Sequence, residues 1–464
     1  MGETREAEAP APIFESATAT HDGLGNRRIG TYVRPLRRMT ELEYVIKHGG
    51  LTPKRLLSRM TRRGFGASVL GGLTGAAASS LMSTPSLAAA AGADFTIAII
   101  PDPQYLAESC PDNSGGYYAA MMKWIVENKN IVFTSGTSSF NANIKAVVGV
   151  GDCVNQTGGD NQYKNAQNAW TILDKNRIAF TTPPGNHDYA GRPDARSKLG
   201  DQFATGYFSA KRRSSVYGSG IDLGGGDMAY WIGSHDNTGA NTAVMFAISG
   251  IKLLILAMDF FAGNAAWSWA YEVMLAHPDC ECYITTHAWL TMKGKQFERT
   301  DGYGPDFYAM AAAPYSNSAA EAWSTGVNTW SNLVGIFGGH DIFGSHNSEP
   351  PSPAWFWQQV PVKSASPRGQ TVHQLFANAQ QLDEGCAASV SNASGAGQIA
   401  SVFLLSRRPA LGLLEGRMIS TKSGNWFQSK TASFPGGTSW SDSETLLFSV
   451  PFTGLQKEQT PPPG

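Results

Sequence analysis

Charge and cysteine are both scarce in this chain of 464 residues, and each shortage closes off a class of function. Charged residues make up 16% of the sequence and nearly cancel, to a net charge of −1. A nucleic-acid-binding protein carries a basic face, and no such bias exists here. The five cysteines, Cys110, Cys153, Cys280, Cys282 and Cys386, are odd in number and scattered. That is neither a disulfide framework nor a paired zinc motif, so they read as small buried hydrophobes with room for one bridge. Long apolar runs are missing as well, since residues 251–257 are far too few to span a membrane. Gly-rich phosphate loops ending in Lys-Ser/Thr, HExxH helices and GxSxG elbows are all absent, which removes the anchor for a Ser-His-Asp hydrolase. Hydrophobic residues, by contrast, reach 42% and aromatics 11%. That is ample for one large domain or two ordinary ones.

The N-terminal part reads as an address. Thr61-Arg62-Arg63-Gly64-Phe65 precedes a weakly apolar stretch rich in Ala, Gly and Ser, then Pro85 and an alanine cluster. A basic region, an apolar region and a small-residue cleavage site make a secretory signal, and the Arg pair resembles the twin-arginine type. The expectation is a periplasmic or secreted protein whose first partner is the twin-arginine export machinery. Gly72, Thr74, Ser79 and Ser80 interrupt the apolar stretch, which argues against a stable membrane anchor. Residues 1–60 have no periodic pattern and contain Met39 and Met60, so they are a disordered extension or a start assigned too far upstream.

Past residue 94, apolar runs alternate with helical patterns. Helices are expected over 117–128, 161–174, 267–276 and 320–333. Strands are expected over 95–100, 146–150, 282–284 and 333–337, with a hairpin over 244–248 and 251–257 turning at Ser249-Gly250. This alternation argues α/β layers with mixed pairing. After His346 the pattern turns to short strands without helices, over 371–376, 399–405, 412–420 and 445–450. The expected organisation is an export signal at 61–93, a core at 94–346, a β-rich completion of the same domain at 347–453 and a disordered tail at 454–464.

Five short polar fragments carry the chemistry: Asp102-Pro103-Gln104, Gly151-Asp152-Cys153-Val154-Asn155, Gly185-Asn186-His187-Asp188, Thr286-His287 and Gly339-His340. Four of them directly follow an apolar run. Ligands in open α/β sheets bind outside the carboxyl ends of strands, and Asp, Asn and His gathered there are donors for divalent metals. The ordered set resembles the calcineurin-like metallophosphoesterase family, whose pattern is DxH, GDxxD/N, GNHD/E, a lone His and GHxH. The resemblance runs from Asp102 to about residue 342.

The resemblance implies two mixed β-sheets packed face to face and flanked by helices. It also implies two divalent metals about 3.5–4 Å apart that clamp a phosphate, with a metal-bound water attacking phosphorus. Asp152 would bridge the metals, and Asn186, His287 and His340 would complete one shell. Asp102 and Gln104 would serve the other. His187, backed by Asp188, would protonate the leaving oxygen or stabilise the phosphoryl charge. Gln104 replaces the usual His, and Ile342 stands where the second His of GHxH belongs, with Asp341 and His346 as the nearby substitutes. The Asp102 site is thus the thinner one, with oxygen donors that suit Mg²⁺, Mn²⁺ or Ca²⁺; the other suits Mn²⁺, Fe or Zn²⁺. Cys153, His235, His277, His373 and the aromatics Trp267, Trp269 and Tyr271 read as structural. The expected function is metal-dependent hydrolysis of a small phosphomonoester or phosphodiester. The alternative is a non-catalytic or single-metal binding protein on the same fold.

Overall fold

The computed structural model describes residues 92–108, 116–135, 138–157, 160–190, 198–341, 355–361, 371–378, 400–427, 440–441, 443–452 and 454–455. They belong to one unit of the chain, Ser86–Gly464. The expected extension, almost all of the export signal, Cys110, Ile342, His346 and Cys386 lie outside the described residues.

The architecture is mixed α/β, with two large mixed sheets of eight strands each and several helices. In the first sheet, Phe95–Ile100 is central. It runs parallel to Ile144–Gly149, which in turn runs parallel to Phe180–Thr181. On its other side it pairs antiparallel with Ser401–Arg408, and Leu413–Ser420 follows. In the second sheet, Ile251–Met258, Glu281–Thr286, Leu333–Gly338 and Thr371–Ala377 are successive parallel neighbours. Trp355–Pro361 closes one edge antiparallel. Thr242–Ile248, Asp227–Ser234 and Ile221–Gly224 continue the other.

The period of two sorts the central strand onto two faces. Ala98 and Ile100 join a cluster with Trp170 and Tyr118 from the helices Asp160–Lys175 and Gly116–Glu127. Phe95, Ile97 and Ile99 join a second cluster that also takes Phe246, Ile255 and Phe337 from the other sheet. A third cluster lies between the second sheet and the helices Asn264–Leu275 and Ala319–Thr325. It includes Trp267, Trp269 and Tyr271.

The hairpin turns at Ser249-Gly250, both with positive φ (51° and 80°), as a two-residue turn between twisted strands requires. Two differences from the sequence reading stand out. The helix expected over 320–333 is shorter, Ala319–Thr325, and a 3-10 turn at Val327–Thr329 follows it. Its start is fixed by a capping box in which the Ser318 hydroxyl accepts from Glu321 N–H and the Glu321 carboxylate accepts from Ser318 N–H. The strands Ile221–Gly224 and Asp227–Ser234 fall where no strand was expected. The first is the half-exposed edge strand, with alternating rather than continuous apolar residues, and the second lies next to it, its apolar run at 228–232 only partly buried. Among the described residues no helix is long and apolar enough to cross a membrane.

At the carboxyl ends of their strands the two sheets touch through a polar bond, in which buried Thr285 Oγ1 donates to the Gly149 carbonyl at 2.7 Å. Thr285→Val keeps the volume and removes that bond. It is expected to lower unfolding free energy by about 1–3 kcal/mol, read from the shift in denaturant midpoint at constant slope.

Candidate functional site

The five polar fragments do converge, and each sits just past the carboxyl end of a strand. Asp102, Asp152 and Asn186 follow Phe95–Ile100, Ile144–Gly149 and Phe180–Thr181 of the first sheet. His287 and His340 follow Glu281–Thr286 and Leu333–Gly338 of the second. Asp102, Asp152 and His340 all have positive φ, at 29°, 50° and 72°, a region non-glycine residues seldom occupy. The backbone there is bent to aim side chains inward. Close approach also explains two of the glycines. A Cβ on Gly185 would overlap Asp152 Oδ1, and one on Gly339 would overlap the Asp102 carboxylate.

His287 is the hub. Its Nδ1 donates to the Val150 carbonyl at 2.9 Å and lies 3.4 Å from Asp102 Oδ1. Its Nε2 donates to Asn186 Oδ1 at 2.9 Å and lies 3.2 Å from Asp152 Oδ2. His340 Nδ1 comes within 3.1 Å of the same Nε2, while His340 Nε2 donates to the Tyr303 carbonyl at 3.0 Å. Asp102 Oδ2 accepts the His340 backbone N–H at 2.6 Å, and Asp152 Oδ1 accepts that of His187 at 2.9 Å.

The electrostatics follow from this packing. Burial works against a charged His287, but the carboxylates of Asp152 and Asp102 outweigh it and hold the imidazole well above its ordinary value. Burial likewise works against an ionised Asp152, yet the His287 and His187 rings bring it to about 2. Asp102 goes the other way, raised by burial more than His287 lowers it. His340 is lowered to about 3 by burial and by the neighbouring His287. The packing thus favours the protonated form of His287 and the neutral form of His340, whose Nε2–H is held by the Tyr303 carbonyl; a divalent cation at His287 Nε2 would take the place of the proton there.

His187 departs from expectation in its partner. Its Nδ1 donates to the Asn155 carbonyl at 2.7 Å, which leaves Nε2 as the ring atom available to a ligand. Asp188 does not back that ring. Its Oδ2 accepts the backbone N–H groups of Gly185 (2.8 Å) and Cys153 (3.1 Å), stapling the third fragment to the second. Burial and the nearby Asp152 raise it to about 8. Asp341, considered as a substitute ligand, has its Oδ2 on the Met292 backbone N–H at 2.8 Å. The other candidate, His346, lies outside the described residues. Cys153 is buried in the first cluster. His235, His277 and His373 stand apart, against Trp269, the Val273 carbonyl and Phe452 respectively.

Sequence reasoning missed the acceptors that orient the rings, namely the carbonyls of Val150, Asn155 and Tyr303. A main-chain oxygen leaves no mark in a side-chain pattern.

Among the described residues no group of three or more His, Cys, Asp and Glu side chains is arranged to hold a metal ion. The donors instead close on one another around His287 Nε2. Their chemistry nevertheless suits a divalent cation, with carboxylate, amide oxygen and imidazole together. Gln104 adds a further sign: the residue is only 1% exposed, and among the described residues its Oε1 has no hydrogen-bond partner. A buried amide oxygen left this way costs free energy unless something meets it.

No family model matches the chain. It is similar to the uncharacterized protein YvnB of Bacillus subtilis (strain 168), at 25% identity over 202 residues that make up 44% of this chain. The chain spans 13% of that relative's length. A crystal structure of the calcineurin-like phosphoesterase YfkN from Bacillus subtilis superposes over 72% of this chain and 92% of that one, with a TM-score of 0.28 and 10% identity. Identity this low and a superposition this loose do not place the chain in a family.

The Asp188 staple makes a stability test. Asp188→Ala orphans two buried N–H groups and is expected to cost about 2–6 kcal/mol, at about 1–3 for each. Asp188→Asn keeps an acceptor oxygen and should recover most of the loss in the same thermal or denaturant melt.

Proposed function

We propose that this chain is a metal-dependent phosphoesterase that hydrolyses a small phosphomonoester or phosphodiester. The observation that carries the reading is the convergence of Asp102, Asp152, Asn186, His287 and His340 from five separate loops, with a half-buried His187 at their edge. The proposal includes a metallophosphoesterase-like sandwich with its core at residues 94–346, completed by 347–453. It also includes twin-arginine export from the 61–93 segment, which puts the protein in the periplasm or outside the cell.

Asp152, Asn186, His287 and His340 would hold one divalent cation, and Asp102, Gln104 and Asp152 a second, thinner one. Bound there, the cations would supply Lewis-acid charge to the phosphate oxygens and a nucleophile at neutral pH. Hydrolysis joins a water oxygen to phosphorus and breaks the bond to the leaving alcohol, whose oxygen needs a proton. In this reading His187, protonated on both nitrogens, would give it from Nε2 and be left neutral, with Nδ1–H still held by the Asn155 carbonyl. Asp188 acts by holding the loop that carries Asn186 and His187 against Cys153.

A second reading, a non-catalytic or single-metal binding protein, draws support from Asp341. Its carboxylate is taken up by the Met292 amide, which weakens the case that it makes up for the ligand missing at Ile342.

With Mn²⁺, the wild type is expected to release nitrophenol from p-nitrophenyl phosphate or bis(p-nitrophenyl) phosphate. His187→Ala should lower kcat by about 10²–10⁴-fold, and Asp152→Ala should remove most of the activity. Equal inertness of all three proteins with Mn²⁺, Fe²⁺, Zn²⁺, Mg²⁺ and Ca²⁺ would sink the enzyme reading. Elemental analysis then separates the two proposals: two equivalents of metal favour the enzyme, and one tight equivalent without turnover favours the binder.

A further inference from the structure

Beside His340, the segment between the strand Glu281–Thr286 and the helix Ala319–Thr325 forms a wall of rings. Two routes of ring contact run outward from the His340 imidazole. One passes through Tyr303, 6.2 Å away and edge-on, to Phe307, a further 4.8 Å. The other passes through Tyr308, at 6.0 Å, to the same Phe307, at 5.0 Å. Tyr308 is buried and packs on Phe260, Tyr303 is half-buried, and Phe307 is 51% exposed.

The wall is rigidly set. Arg299 grips both oxygens of Glu321 at 3.0 Å and donates to the carbonyls of Met310 and Ser316. Tyr303 has φ 61°, and its carbonyl accepts the His340 Nε2–H. A non-glycine residue in that region is held there by its surroundings, and such residues gather at ligand sites. Here the bend joins the wall directly to a site residue.

An exposed phenyl ring on an ordinary surface needs no explanation. This one differs because Tyr303 and Tyr308 connect it to the His340 imidazole, on which Phe260, Phe261 and Phe297 also pack. We infer that Phe307, buttressed edge-on by Tyr303, forms a stacking platform for a planar ring on the alcohol side of the phosphate ester. The inference rests on the phosphoesterase reading for the phosphate end, and only the ring end is new. Aromatic platforms hold nucleobases and simple aryl groups alike, since both present a π-face.

Equilibrium binding tests it without turnover. The full chain, loaded with Mn²⁺, is titrated calorimetrically with methylphosphonate, phenylphosphonate and adenosine monophosphate. The expected result is tighter binding of both ring-bearing ligands than of methylphosphonate. Phe307→Ala should cut that preference about tenfold, the scale of one lost stack, and Phe307→Trp should restore it. A larger gain for the nucleotide than for the phenyl compound would assign the platform to nucleobases, and the reverse order to simple aryl esters. Equal affinity for all three ligands, a preference untouched by Phe307→Ala, or no binding of either ring ligand would overturn the platform. Hydrolysis of esters with no ring preference would overturn it too and leave the phosphoesterase reading standing. Ring preference in a protein that hydrolyses nothing would do the opposite.

Discussion

One imidazole ties the two sheets together at the only place where chemistry gathers among the described residues. His287 leaves the last residue of a second-sheet strand and donates to the carbonyl just beyond a first-sheet strand. Two residues before it, Thr285 Oγ1 donates to the Gly149 carbonyl. With that seam closed, Asp102 lies at the Nδ1 end of the ring, and Asp152 and His340 meet at its Nε2 end. Two buried carboxylates with no counter-charge would be costly, and the protonated ring offsets part of that cost. The same contacts that hold the sheets thus hold the donor set in register.

The parts legible in the sequence were those whose physics is local. Continuous apolar runs marked the inner strands because both faces of Phe95–Ile100 are covered. Ser249-Gly250 marked the hairpin because a two-residue turn needs positive φ twice. The polar fragments marked the site because loops past strand ends are where side chains converge. Long-range pairing was not legible. Nothing in Ser401–Arg408 announces that it lies beside Phe95–Ile100, and nothing in the apolar run at 228–232 says that it pairs with both Thr242–Ile248 and Ile221–Gly224. Asp188 shows a subtler limit. Next to His187 in sequence it reads as that ring's partner, yet the turn carries its carboxyl to Gly185 and Cys153 instead.

The aromatic segment was visible only as a stretch without signature. Its rings are spaced irregularly, and Arg299 organises them through carbonyls and through Glu321 of the following helix. Neighbouring loops therefore play different parts. Those carrying Asp and His are shaped by glycine and tight bends, whereas the one carrying Tyr303 and Phe307 adds to its bend at Tyr303 the side-chain grip of Arg299.

The pairing of Phe95–Ile100 with Ser401–Arg408 also sets a clock. Thr96 and Ser406 share a hydrogen bond across 310 positions of sequence, so the centre of the first sheet gains its second neighbour only after all of those residues have been made. Closing a loop of that length costs about 5 kcal/mol of chain entropy. Until then the strand has an open edge of unpaired N–H and C=O groups, a template for mispairing with other chains. Folding should accordingly be slow and governed by this late closure. A nascent chain halted short of Ser401 would hold all five polar fragments and still lack the strand that pairs with Phe95–Ile100 beneath them.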